Sequence, residues 1–156
     1  MKIYLASDHA GFTLKKHLGE YLRSAGFEVS DMGPATFEPH DDYPDFISLA
    51  AQEVAKNPTE ARGIVIGLSG QGEAMVANKF ANVRAGVFYG GSEEIIQLLR
   101  EHNDANVLSL GAKFITPADA KRVVDIWLST AFSNEPRHAR RIEKIRDIER
   151  KHGTRV

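Results

Sequence analysis

The sequence predicts an α/β domain, doubly wound, in which a five-stranded parallel sheet carries helices on both faces. Three observations point there. Short apolar runs with β-branched residues alternate five times with stretches of helical character. Parallel neighbours need a crossover between them, and crossovers of this kind are right-handed. The third run passes straight into a glycine turn and a helix start, the kind of junction beyond which such sheets hold ligands.

The first strand is Lys2 to Ser7, followed by a turn at Asp8-His9-Ala10-Gly11. Phe12, Leu14, Leu18, Tyr21 and Leu22 then form a helical stripe that Gly26 ends. Phe27 to Met32 is the second strand, and Gly33 to Tyr43 is a loop with Pro34, Pro39 and the cluster His40-Asp41-Asp42. A helix runs from Pro44, which suits a first turn, to Lys56. The third strand, Gly63 to Leu68, leads through Ser69, Gly70 and Gly72 to a helix over Ala74 to Phe80. Asn82 to Tyr89 is the fourth strand, and Ser92 caps a helix that reaches about His102. Ala105 to Leu110 is the fifth strand, ended by Gly111. Thr116-Pro-Ala-Asp119 has the form of a capping box for a helix to about Phe132, and Pro136 opens a charged helix to about Lys151. These elements make one Rossmann-like domain over residues 1–156, without linker or repeat.

Bulk properties narrow the function. A chain of 156 residues, 42% hydrophobic and 26% charged, is ordinary for a soluble globule. A net charge of -1 gives no general pull towards nucleic acid or anionic membrane. Without cysteine there is no disulfide frame, thiolate nucleophile or Cys-ligated metal. No apolar run approaches the roughly 20 residues of a membrane span, and Met1 to Ser7 reads as strand rather than signal peptide. A cytoplasmic protein is expected.

The strongest local signal is Ser69-Gly-Gln-Gly-Glu73. Its backbone N–H groups and the positive helix end converge on one spot, which suits an anion or a developing oxyanion. The one ionisable side chain there is Glu73, placed to move protons. The other reading is a tight turn with Glu73 simply well placed in a first helical turn. Nucleotide loops do not fit. Met75 stands where a dinucleotide fingerprint needs glycine, and Lys79 lies too far along for a phosphate loop.

Other groups have two readings each. Asp8 either holds sugar hydroxyls or caps the next helix, and His9 either donates to a phosphate or shuttles a proton, or is incidental. His102 either moves protons or favours a negative helix end, and Asn103 either holds a hydroxyl or stops the helix. Arg137 and Arg141, four apart, share a helix face; they grip one phosphate or form a solvated face with Glu143 and Glu149 as counter-charges. His40-Asp41-Asp42 reads as a polar loop rather than a metal site, because the other histidines lie at no ligand spacing.

Taken together, Asp8-His-Ala-Gly11, Asp42-Tyr-Pro44, Ser69-Gly-Gln-Gly-Glu73 with Ala77-Asn-Lys79, His102-Asn-Asp-Ala-Asn-Val107, Leu110-Gly111 and Arg137-His-Ala-Arg-Arg141 resemble the ribose-5-phosphate isomerase B and galactose-6-phosphate isomerase family over nearly the whole chain. The resemblance implies aldose–ketose isomerisation of a sugar phosphate without metal or other cofactor. It implies dimers or tetramers with active sites between subunits; the near-neutral charge and the lack of a long apolar run speak for no nucleic-acid or membrane partner. Glu73 is then the base between carbons one and two, and His102 the proton donor in ring opening. Asp8, His9 and Asn103 hold substrate, while Leu68, Ser69, Gly70, Gln71 and Gly72 line it with amides and the Ser69 hydroxyl. Arg137 and Arg141 bind phosphate. One branch of the family has a cysteine where this chain has Gly67, so the chain resembles the glutamate branch. Two positions depart: Lys113 replaces an arginine and loses its bidentate fork, and Leu68 stands where glycine is common. Ribose 5-phosphate and ribulose 5-phosphate are the expected pair. A six-carbon 6-phosphate such as galactose or allose, a non-catalytic sugar-phosphate-binding subunit, and a nucleotide-binding response domain are the alternatives.

Overall fold

Parallel strands buried on both faces need near-continuous apolar runs, and the strands Ala61–Gly67 and Val107–Gly111 have them. The computed structural model describes residues 1–152. Its elements in chain order are β1 (Lys2–Ser7), α1 (Phe12–Ser24), β2 (Glu28–Asp31), α2 (Tyr43–Lys56), β3 (Ala61–Gly67), α3 (Gln71–Ala77), β4 (Ala85–Phe88), α4 (Glu94–Asn103), β5 (Val107–Gly111), α5 (Pro117–Ser129) and α6 (Pro136–His152). The strands pair in parallel in the order β2-β1-β3-β5-β4. No helix among the described residues is long and apolar enough to cross a membrane.

Side-chain alternation splits the core in two. Ile64, Ile66, Leu108 and Leu110 meet α1, α4 and α5 through Leu18, Leu22, Ile96, Val123 and Trp127. Val65 and Val107 meet α2 and α3 through Ile47, Ala50, Val54 and Ala77 on the other face. Each fully buried Leu or Ile contributes about 1.5–3 kcal/mol over an exposed one. The helix faces follow from the handedness rule. β1-to-β2 and β4-to-β5 step one way along the sheet, and the other two crossovers step the opposite way, so their helices lie on opposite faces.

Register aligns three strand ends. Ser7 lies opposite Ile66, and Gly67 opposite Gly111. The turns after β1, β3 and β5 therefore stand side by side on the carboxyl edge.

Several boundaries differ from the sequence reading. Helix α3 starts at Gln71 rather than Ala74, because Gly70 turns the chain in the left-handed region at φ 79°. The fourth strand shrinks to Ala85–Phe88 at the sheet edge, where only one neighbour supplies pairing. Ser92 Oγ accepts the Glu94 N–H at 3.3 Å, one residue outside the N-cap position held by Glu93. The capping box at Thr116 and Asp119 is present, but α5 stops at Ser129.

Candidate active site

Glu73 is the third residue of α3, and only 4% of it is exposed. Three contacts compress the turn before it. Ser109 Oγ donates to the Gly70 carbonyl at 2.6 Å, tying the turn to β5. The Tyr43 ring lies so close to Gly72 that an added Cβ would meet it at 2.8 Å. At Gly67 an added Cβ would land on the Glu73 carboxylate itself. Glycine at 67 is thus what makes room for the carboxyl group.

Opposing effects act on the acidity of Glu73. Burial pushes its pKa up, its own backbone N–H pulls it down, and the nearby Asp8 carboxylate pushes it up again; the net direction is upward from 4.5. Burial outweighs the helix end. The N–H groups of Ser69, Gly70 and Gly72 have no acceptor among the described residues, and Ser69 Oγ accepts the Gln71 N–H at 3.4 Å.

Asp8, also buried, uses Oδ1 to accept the N–H groups of Ala10 and Gly11 at 3.0 and 3.2 Å. It caps the α1 turn, and Oδ2 takes no hydrogen bond among the described residues. His9 is held by a residue to which the sequence reading gave no role. Asp41 Oδ1 accepts both the His9 backbone N–H at 2.9 Å and the ring Nδ1–H at 2.7 Å. The Asp41 carboxylate raises the His9 pKa, favouring an imidazolium whose Nε2–H remains free. The Asp41 side chain is 9% exposed, and its Oδ2 is buried without a partner. Asp8, His9 and Asp41 place one ligand atom each within 4.8 Å of one another, but the Nδ1 of His9 is already engaged. The signal for Asp41 was the polar cluster at 40–42. Upstream, the loop's start is pinned by buried Lys15, whose Nζ reaches Asp31 Oδ1 at 2.5 Å and the Pro34 carbonyl at 2.8 Å.

The turn after β5 completes this edge. Ala112 N–H donates to Gly67 O at 2.9 Å and Lys113 N–H to Leu68 O at 3.1 Å. The Lys113, Leu68 and Gln71 side chains are exposed. Asp8, His9, residues 68–73 and Lys113 therefore share one edge of the sheet.

The remaining candidates stand on the other edge. Helix α4 returns antiparallel to the strands, so His102 and Asn103 sit beside the amino end of β5. Arg84 Nε donates to Asn103 O at 2.9 Å, and Arg84 and Arg100 both pair with Asp104, which holds the turn at φ 45°. His102 stacks on His138 of α6, ring centres 4.1 Å apart. Arg137 is exposed and pairs with Glu135 at 2.8 Å; Arg141 is exposed and makes no ion pair among the described residues. The counter-charge of Arg137 is thus Glu135, while Glu143 serves Arg146 and Arg150. A five-residue strand spans about 16 Å, and no hydrogen bond or ion pair among the described residues joins this group to Glu73. One chain holds the candidates in two groups on opposite edges.

The family model described as Ribose/Galactose Isomerase matches residues 3–145. Ribose-5-phosphate isomerase B of Mycolicibacterium paratuberculosis is 40% identical over 152 residues, covering 97% of this chain and 94% of the relative. The solved ribose-5-phosphate isomerase B of Mycoplasma genitalium, with bound ribulose-5-phosphate, gives a TM-score of 0.91 at 43% identity, covering 96% of this chain and 97% of its own. That of Clostridium thermocellum gives 0.90 at 40%, covering 97% and 99%. The chain is thus alike in sequence and in shape to ribose-5-phosphate isomerases B over nearly its whole length, and this chain, an isomerase, belongs to the ribose/galactose isomerase family.

Proposed function

We propose that this chain is a cytoplasmic aldose–ketose isomerase that interconverts ribose 5-phosphate and ribulose 5-phosphate through an enediolate, without a metal, using Glu73 as base. The observation that carries the proposal is the buried Glu73 carboxyl, raised in pKa and seated beside unengaged backbone N–H groups. A base works best when its pKa lies nearer the working pH, and the upward shift moves a carboxylate that way. Glu73 takes the proton from one carbon of the open-chain sugar and returns it to the next. Charge that gathers on the substrate oxygens meets the amides of 69–72 and the Ser69 hydroxyl; one preorganised donor of this kind is worth about 3–4 kcal/mol in the transition state.

Phosphate binding and ring opening fall to the other edge. A second copy of the chain, in a dimer or tetramer, brings His102, Asn103, Arg137 and Arg141 to the Glu73 pocket. Arg137 has only its exposed pairing with Glu135 to give up, and such pairs are worth about 0–1 kcal/mol. His9 and Lys113 add positive charge on the Glu73 side, and Asp8 Oδ2 accepts a sugar hydroxyl.

Turnover on a panel of five- and six-carbon aldose phosphates, with chelator present, tests the reading. Activity is expected highest on ribose 5-phosphate, and Glu73→Gln is expected to lower kcat by roughly 10²–10⁴-fold. A Glu73→Gln enzyme near wild-type rate removes the base assignment, and activity abolished by chelator removes the metal-free reading.

A further inference from the structure

His138 is 1% exposed, a buried histidine at the start of α6 for which the proposed chemistry has no use. Its ring Nδ1 lies 2.9 Å from Ser133 Oγ. That hydroxyl also lies 2.8 Å from the Glu101 carbonyl. A carbonyl only accepts, so the single Ser133 hydroxyl proton goes to Glu101, and Ser133 Oγ must accept from His138 Nδ1–H. The Ser133 N–H donates to the same carbonyl at 3.1 Å. One short segment between α5 and α6 therefore grips the backbone just before His102 and fixes the tautomer of the ring beneath it.

The two imidazoles are 4.1 Å apart and tilted by 41°. The ring nitrogens of His102 take no hydrogen bond among the described residues. Most histidines that move protons are oriented through a hydrogen bond to one nitrogen; here the orientation comes from a ring face and leaves both nitrogens of His102 available. Burial lowers the His138 pKa, with His102 and Arg137 pushing the same way, Glu135 opposing and Arg141 adding slightly. A neutral platform does not repel a proton arriving on His102, whereas a charged one would.

We infer that His138 is a positioning residue, a buried platform that holds the His102 imidazole in its proton-transfer orientation, with the Ser133 hydroxyl fixing the platform's own tautomer. This rests on the role proposed for His102. Arg137 immediately precedes it, so the platform also ties the phosphate-binding helix and the ring-opening group into one rigid unit.

Two measurements separate His102 chemistry from that of Glu73. Ribose 5-phosphate is cyclic and must be opened. Ribulose 5-phosphate cannot close through its esterified 5-hydroxyl, so deuterium uptake from heavy water at its carbon one reads the Glu73 step alone. His138→Ala is expected to lower turnover of ribose 5-phosphate roughly 10-fold or more, with deuterium uptake changed less than about twofold. His138→Phe, which keeps a flat ring, is expected to recover most of the turnover. Ser133→Ala, a milder change that preserves the core, is expected to show the same asymmetry at smaller size. Equal loss in both assays for either alanine variant, or loss in neither, overturns the inference. His102→Ala is the control: if it leaves ribose 5-phosphate turnover intact, the role given to His102 fails; if it lowers turnover while both platform variants do not, only the platform fails.

Discussion

The two edges of the sheet are built differently. On the carboxyl edge most ionisable groups are fixed within the chain: buried Glu73 over Gly67, buried Asp8 on the α1 turn, and partly exposed His9 on Asp41. On the amino edge Arg137 and Arg141 are exposed on α6, while His138 between them and Arg100 near the end of α4 are buried. Proton transfer from carbon tolerates little error in position, so its group is preorganised. A phosphate is gripped well by long, mobile cations, and these are left exposed for a ligand and a neighbouring copy to order.

Each of three experiments breaks or sharpens that contrast. The largest effect is expected at Gly67. Its replacement by alanine puts a methyl group on the Glu73 carboxylate, and displacing a catalytic group by about 1 Å can cost 10²-fold. Steady-state kinetics on Gly67→Ala should show kcat down by about that factor with KM little altered; an unchanged kcat would mean the carboxyl is not held where it works. The next effect is recovery rather than loss. Inactive Glu73→Gln and His102→Ala chains, unfolded together and refolded as a one-to-one mixture, should regain about a quarter of wild-type activity if two copies share each site, because half the dimers are mixed and one site in each is intact. No recovery in a verified mixed dimer would place both edges in the service of one chain. The smallest effect is on stability. The carboxyl of Glu73 binds protons more tightly folded than unfolded, so its contribution is greatest below about pH 4.5 and is lost as pH rises through its raised folded value. Glu73→Gln should therefore melt higher than wild type at neutral pH, and the difference should shrink on acidification through that window. A variant that melts lower at pH 7 and keeps that deficit in acid would contradict burial as the dominant influence on Glu73.

Local pattern carried the strands, the crossover helices and the Ser69–Glu73 turn, because each is written in consecutive residues. The capping box at Thr116 and Asp119 was equally plain. What escaped is non-local. Asp41 lies 32 positions from the histidine it holds, in a loop whose composition says only that it is polar. The direction of the Glu73 shift depends on how deeply its turn is buried and on how near Asp8 stands, neither of which is visible in the turn itself. Ser133 and His138 reach α4 only after α5 has crossed the sheet, and no motif flags a stacked pair of rings. The division of site residues between two edges is half local: a helix leading into β5 must end at that strand's amino side, which places His102 and Asn103, whereas the seat of Arg137 and Arg141 depends on where α6 packs, which no local pattern states.

The shared volume above Gly67 also constrains how such a protein can change over time. A side chain at 67, such as the cysteine that the sequence resemblance gives to the other family branch, would take the space where this chain keeps its carboxylate. Gly67→Cys alone would evict one reactive group before the other was tuned, and losing Glu73 first would leave the pocket without either. Ancestors passing between the two solutions would face a fitness valley of strong reciprocal epistasis, crossed by a paired substitution or under relaxed selection on a duplicated gene. The lineages should therefore sort cleanly, with few sequences carrying both groups or neither.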